Sequence, residues 1–344
     1  MNRQPKGSVE EIARRTGLSR STVFRALNNC GSVDECTKAA VMTQAQAIGY
    51  IPPRARREGW TSSSLMVGVV MPANPQYFWG EAMRGMRLGA ASCPEIHPVF
   101  SLYADIGRGR DALYCLEYME NLRPDLLVVT PPADPVFEKK LKALAQELPL
   151  VFFNETADAP SRFYAGADVY EDGRRLAAAC APAIRRRPRL LAVDGEALPM
   201  VRLRDEGFRS ELALRASEAQ WVGSVDIRMM SASTMPARLA RVMQEEYADA
   251  FDTVYVAHGV IAQVCLALHK IGRLHDTCVV GYEDPRRAAS HVQGARIAAY
   301  LEQDMPAQGY ACMQAVHAYL TEGRLPAGGQ VLAPSRLRLC EAAP

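Results

Sequence analysis

The sequence predicts a small all-α head followed by an α/β body of two doubly wound parallel-sheet lobes. Three observations carry this. Residues 8–29, SVEEIARRTGLSRSTVFRALNN, read as two short helices around a glycine turn. From residue 65 onward, apolar strand-like runs alternate with helical stretches over about 280 residues, too many for one small core. The charge is also uneven: residues 1–60 hold ten Lys/Arg against five Asp/Glu, whereas the whole chain carries a net charge of only +2.

The first helix starts at Ser8, where Ser8 and Glu11 form a capping-box pattern. Val9, Ile12 and Ala13 then fall on one face. Gly17 gives the permissive backbone that ends it, and Leu18 is an apolar plug for the corner. Ser19 caps the second helix, whose inward positions are Val23 and Leu27. Arg20, Ser21, Thr22 and Arg25 are left outward. A third helix is expected from about Ser32 or Asp34 to Ile48, with Val41, Ala45 and Ile48 covering the first two.

Periodicity alone leaves any small three-helix unit open. Charge argues for nucleic acid, because a basic head on a near-neutral body is the footprint of a protein whose head alone meets phosphate. An outward face of Arg, Ser and Thr suits a major groove, where Arg forks onto guanine and hydroxyls reach bases or phosphates. The run Arg54, Arg56, Arg57 extends the basic stretch, with a solvated linker as the alternative.

The body follows the polar linker at residues 61–64. Its strand candidates are LMVGVVM (65–71), HPVFSLYA (97–104), DLLVVT (125–130), LVFFN (150–154), RLLAVDG (189–195), FDTVYVA (251–257) and TCVVGY (277–282). Continuous apolar strands separated by helices mean parallel sheets buried on both faces, here two sheets of five or six strands.

With these residues in view, the chain resembles the lactose-repressor/galactose-repressor (LacI/GalR) family of bacterial transcription regulators. The resemblance rests on IARRTGLSRSTVFRALN (12–28), CGSVDECT (30–37) and IGYIP (48–52), and it continues through the body. It implies a helix-turn-helix head at 1–52, a hinge at 53–64 and a periplasmic-binding-protein-like effector and dimerisation domain at 65–344. The implied N-lobe is about 65–163 and 300–324, and the C-lobe about 164–299 and 325–344. Crossovers are expected near 160–168, 285–302 and 322–330.

The resemblance also implies roles. Arg20, Ser21 and Arg25 occupy base-reading places; Ser19, Thr22, Asn28 and Thr37 occupy phosphate-holding places; Tyr50 sits where a tyrosine docks near the DNA backbone, and Arg54 is added as a DNA contact from the basic run rather than from the resemblance. Phe24 departs from the small serine usual in the recognition helix, and it either packs inward or meets a thymine methyl. Gly59 stands where a hinge leucine usually wedges into the minor groove, with Trp60 beside it.

In open α/β sheets, ligands bind outside the carboxyl ends of the strands. The candidates just past the strands are Asn74, Tyr77, Phe78 and Trp79, then Thr130, Asn154, His258, Glu283 and Gln303. Arg204 joins them because RDEGF (204–208) resembles the family's R-x-x-G-F/W motif, whose arginine points into the effector cleft. Any one of these residues, taken alone, is also consistent with a surface loop or a strand cap. Together they suit a sugar-like or polyol effector: amide and carboxylate groups for vicinal hydroxyls, a forked Arg, and an aromatic face. Two departures fall here. Glu283 replaces the usual Asp, and His258-Gly259 replaces an Asn-Asp-like pair. Arg204 and a protonated His258 leave a carboxylate or phosphate effector open.

No G-x-S-x-G, H-E-x-x-H or C-x-x-C is present, and the nine cysteines are scattered, so neither an enzyme, a cofactor nor a metal is expected. No apolar run reaches membrane-spanning length. The expected protein is a cytoplasmic homodimer on pseudo-palindromic double-stranded operator DNA, a repressor controlled by a small polar metabolite. The alternatives are an activator of the same family or a non-regulatory small-molecule-binding protein.

Overall fold

The computed structural model describes residues 9–27, 33–47, 64–74, 76–104, 109–184, 186–194, 198–227, 230–231, 233–283 and 294–339. The expected features at Ser8, Asn28, Tyr50, Arg54, Gly59 and Trp60 lie outside them.

The head is three helices, α1 (Val9–Thr16), α2 (Arg20–Leu27) and α3 (Glu35–Ala47). Gly17 adopts φ +69°, the left-handed turn that releases the chain from α1. Ile12, Val23, Ala26, Val41 and Ala45 form the core, with Val9, Ala13, Leu18 and Leu27 packed against it. Glu11 binds Arg14 and Arg15, and these cations hold its carboxyl at about 2. The side chain of Phe24 is outside the described residues.

In the body, β1 (Leu65–Pro72), α4 (Gln76–Ala91), β2 (Ile96–Tyr103), α5 (Gly109–Leu122), β3 (Leu126–Val129), α6 (Pro135–Leu144), β4 (Leu150–Phe153) and β5 (Phe163–Gly166) come first. There follow α7 (Val169–Cys180), β6 (Arg189–Asp194), α8 (Pro199–Arg215), β7 (Gln220–Asp226), α9 (Met235–Val242), β8 (Thr253–Val256), α10 (Ile261–Lys270), β9 (Cys278–Tyr282) and β10 (Arg296–Glu302). The described chain ends with α11 (Met305–Glu322), β11 (Gln330–Leu332) and β12 (Arg336–Leu339).

Two six-stranded sheets result, ordered β11-β5-β4-β3-β1-β2 and β12-β10-β9-β8-β6-β7. All ladders are parallel except β10–β12. The two lobes thus repeat one winding, with the strand order reversing beside β1 in one and β6 in the other. Core strands are buried on both faces, which is why β1, β3, β4 and β8 read as unbroken apolar runs.

Each lobe also uses bare backbone to bring two helices together. A Cβ on Gly207 of α8 would lie 2.1 Å from the Tyr170 carbonyl of α7, and one on Gly309 of α11 would lie 2.2 Å from the Ala82 carbonyl of α4.

The chain passes between lobes at 167–168, 303–304 and 333–335. Two of these differ from expectation. Residues 296–302 form a strand of the second sheet, so the second crossing follows Glu302 rather than falling within 285–302. Gln330–Leu332 pairs with β5 in the first sheet, so the last crossing lies past 322–330 and this strand belongs to the N-lobe. β5 likewise stays in the first sheet, through Gly166. Among the described residues no helix is long and apolar enough to cross a membrane.

Candidate functional site

At the head, the Ser19 hydroxyl accepts the backbone N–H of Thr22 at 3.1 Å and lies 2.8 Å from both the Ser21 and Thr22 hydroxyls. Three hydroxyls therefore gather at the N-terminus of α2, where backbone N–H groups and the helix dipole favour an anion. Arg25 is exposed, with Nε donating to the Ser21 carbonyl at 3.3 Å. Arg20 is also exposed but pairs with Glu10 of α1, so a base or phosphate must displace that carboxylate. Thr37 fits its expected role less well. Its hydroxyl donates to Asp34 Oδ2 at 2.6 Å while its N–H meets Asp34 Oδ1 at 2.9 Å. The one hydroxyl proton is committed to capping α3, and the carboxylate beside it repels phosphate.

In the body, Tyr77, Phe78, Glu283 and Gln303 line one cavity of about 390 Å³ at the crossing between the lobes. Tyr77, at the start of α4, donates its hydroxyl to Glu283 Oε2 at 2.8 Å, joining the first lobe to the second. Glu283 follows β9 at φ +73°. Its carboxylate lies against Gly259, where a Cβ would come within 2.5 Å of the carboxyl carbon. The two departures at 259 and 283 thus fit one another: the missing side chain makes room for the longer acid. His258 is half-buried just past β8. Around this cavity, Arg84 pairs with Glu81 at 2.7 Å and Arg336 with Asp304 at 2.6 Å.

Asn154 sits behind the cavity. Held at φ +60°, it donates to Gln303 Oε1 at 2.7 Å and Gln308 Oε1 at 2.9 Å. Gln308, which the sequence did not single out, is fully buried and donates to the same Gln303 oxygen at 3.1 Å. This amide cluster ties the end of β4 to the second crossing.

Two expected effector contacts are internal instead. The Thr130 hydroxyl donates to the Phe153 carbonyl at 2.8 Å, and its carbonyl accepts from Tyr103. It staples the ends of β3 and β4 and is fully buried. Trp79 belongs to the N-lobe core, edge-on to Phe78 at 4.8 Å. Asn74 donates to the Ala104 carbonyl at 3.0 Å.

Arg204 is not on the cavity wall but buried, 7% exposed. Its guanidinium lies 4.1 Å over the Tyr282 ring and donates to the Ala257 carbonyl at 3.1 Å; its Nε has no hydrogen-bond partner among the described residues. Two carboxyls share this region. Burial raises Glu155 to about 7, against the opposing pull of the Met200 and Thr156 N–H groups and of Arg204. Burial also raises Asp172, against the Ser335 hydroxyl and Arg204. Sequence reasoning missed both acids. Their partners lie far along the chain, and each reads alone as an ordinary loop or helix acid. Among the described residues no cluster of three or more His, Cys, Asp or Glu is placed to hold a metal.

Comparison with known proteins agrees with this architecture. Residues 67–324 match the family described as Periplasmic binding protein domain, and residues 8–53 match Bacterial regulatory proteins, lacI family. The HTH-type transcriptional regulator RegA of Clostridium saccharobutylicum is 33% identical over 78 residues, which is 23% of this chain and 24% of that protein. The alignment therefore spans about a quarter of that relative's length. A LacI-family transcriptional regulator from Silicibacter pomeroyi superposes with TM-score 0.61 at 19% identity, covering 97% of this chain and 98% of that one. GanP, a glucose-galactose binding protein from Geobacillus stearothermophilus, superposes with TM-score 0.69 at 15% identity, over 80% of this chain and 98% of its own. At these identities the structural likenesses concern the fold. Matched over most of the chain, the protein belongs to the periplasmic binding protein domain family, here carrying a lacI-type helical head at its N-terminal side.

Proposed function

We propose that the protein is a DNA-binding transcription regulator, a repressor, whose operator affinity is set by a small sugar-like or polyol metabolite held between its lobes. The observation that carries this is one chain joining a head with hydroxyls and Arg25 on α2 to two lobes that meet at a cavity of mixed aromatic, amide and carboxylate lining. The glucose-galactose binding function named for GanP supports a saccharide-sized effector.

The head comprises residues 1–52, the hinge 53–64, and the effector and dimerisation domain follows. A homodimer in the cytoplasm presents two heads to a pseudo-palindromic site. Effector bound at Tyr77, Phe78, Glu283 and Gln303 stabilises one angle between the lobes. Operator affinity then changes only by the effector's differential affinity for the two states, typically about 1–3 kcal/mol, or 5- to 150-fold.

A thermal-shift screen of the full chain against neutral sugars, polyols, sugar acids and phosphates tests the effector class. A concentration-dependent rise in midpoint with a neutral sugar or polyol, together with altered operator binding, is the expected result. Stabilisation without any change in operator binding would leave a plain binding protein. At the head, Arg25→Ala is expected to weaken specific operator binding by about 1–3 kcal/mol. An equal loss on operator and scrambled DNA, read by titration at one salt concentration, would reduce Arg25 to a phosphate contact.

A further inference from the structure

Glu10 and Glu11 stand side by side in the first turn of α1, and the head uses them differently. Glu11 stays on its own helix, gripped by Arg14 and Arg15. Glu10 instead reaches out of the helix to Arg20, the first residue of α2 and ten positions along the chain. Both side chains of this pair are exposed. An ion pair in that setting contributes little to stability. The dipole of α1 is served equally well by an acid that stays on α1, as Glu11 does. Neither reason accounts for a carboxylate that crosses to the second helix.

What the crossing does is place an acceptor at the end of α2 that meets DNA. In a helix-turn-helix, the N-terminal residues of the second helix touch base edges while the first helix crosses the backbone. Arg20 holds that N-terminal position, beside exposed Ser21 and with exposed Arg25 further along the helix. In the major groove its guanidinium forks onto the O6 and N7 acceptors of a guanine, and the carboxylate of Glu10 is released at the base edges. Phosphates repel that carboxylate. Adenine offers an amino group at N6, but its N7 acceptor lies beside it. Cytosine offers the N4 amino group with no acceptor of its own in that groove, and it is the base that suits a carboxylate.

We propose that Glu10 is a base-reading residue: with Arg20 it selects a guanine and a nearby cytosine in the recognition site, Arg20 taking the guanine acceptors and Glu10 the cytosine amino group. This rests on the reading of the head as an operator-binding unit. The pairing seen without DNA then has a use of its own. A phosphate that draws Arg20 away gives the carboxylate no donor in exchange, whereas a correctly placed cytosine does. Glu10 therefore weakens binding to arbitrary sequence and widens the gap between right and wrong sites, the repulsive half of specificity.

The test uses the full chain and a library of duplexes with a randomised core of about 20 base pairs, enough for two half-sites one helical turn apart. Bound duplexes are sequenced for the wild type, Glu10→Gln, Glu10→Ala and Arg20→Ala at one salt concentration. Glutamine carries the donor and acceptor that match adenine N6 and N7, so Glu10→Gln is expected to move the preference at one position from cytosine to adenine, changing the ratio of the two about tenfold. Glu10→Ala is expected to lose the cytosine preference at that position, to gain no other, and to bind scrambled DNA more tightly than the wild type. Arg20→Ala is expected to lose a guanine preference at a different position. Thermal midpoints confirm that the variants fold; if Glu10→Gln does not, the loss of cytosine preference in Glu10→Ala decides. A Glu10→Gln profile identical to the wild type at every position, or a uniform change in affinity with no change in preference, overturns the proposal and leaves Glu10 as a mask on Arg20. If the wild type enriches no sequence at all, it is the operator-binding reading of the head that fails.

Discussion

Arg204→Ala is expected to lower the stability of the body by roughly 3–5 kcal/mol, the loss that follows when one partner of a buried charge cluster is removed. From the motif alone, the substitution would silence the effector response and spare DNA binding. The burial of Arg204 adds a second consequence. The guanidinium stacks on Tyr282, holds the Ala257 carbonyl, and offsets the charges of Glu155 and Asp172. With the cation gone, two buried carboxyls each lose the positive charge that offsets their burial, and the Ala257 carbonyl loses its donor. Urea unfolding followed by circular dichroism should give a midpoint well below wild type with an unchanged slope. Operator binding by the folded fraction should persist. A variant as stable as wild type that still lost its effector response would mean that Arg204 touches ligand and holds up nothing else.

Gly207→Ala is expected to cost about 3 kcal/mol, even though alanine favours a helix over glycine by roughly 1 kcal/mol. The added methyl would lie 2.1 Å from the Tyr170 carbonyl, and that contact is backbone, which cannot swing aside. From the other side, a Cβ on Gly173 would meet the Arg204 carbonyl at 2.2 Å. The two helices must therefore separate, taking Arg204 with them. Leu214→Ala, on the same helix at a position 79% exposed, is the matched control and should stay within about 0.5 kcal/mol of wild type. Equal midpoints for Gly207→Ala and Leu214→Ala would show that the helix pair adjusts freely.

These two expectations mark how far the sequence could be read. The fold was legible because its evidence is local. Buried parallel strands such as LMVGVVM and DLLVVT announce themselves as apolar runs, and Gly17 sits between two helical faces. Strands with mixed faces were harder. Gln220–Asp226 is an edge strand whose residues are mostly half-exposed or exposed, so it carries no continuous apolar signal. Gln330–Leu332 is three residues long, and only its pairing with β5 assigns it to a lobe.

The site was legible as a set of positions past strand ends, but not as a set of directions. Tyr77 and Trp79 are two residues apart on one helix turn, and the sequence treats them alike. The structure aims the first across the cleft and the second into the core. Thr130 has the right address, but its hydroxyl is bound to the neighbouring strand. Glu155 could not be found at all, because what makes it special is Met200, contributed by the other lobe.

The interleaved lobes have a consequence for the order in which the protein assembles. Met305, Cys312, Met313 and Val316 of α11 are part of the N-lobe core, alongside Val67, Val69 and Met86, and β11 closes the same sheet. These pieces are synthesised after every strand of the second sheet except β12. During translation the first five strands wait with one apolar flank of their core uncovered while five of the six strands of the second sheet are made, and whatever prevents aggregation in that interval must act on the first lobe. The second lobe, by contrast, lacks only Arg336–Leu339 when residue 302 emerges, and it is the half able to fold first although it is made second.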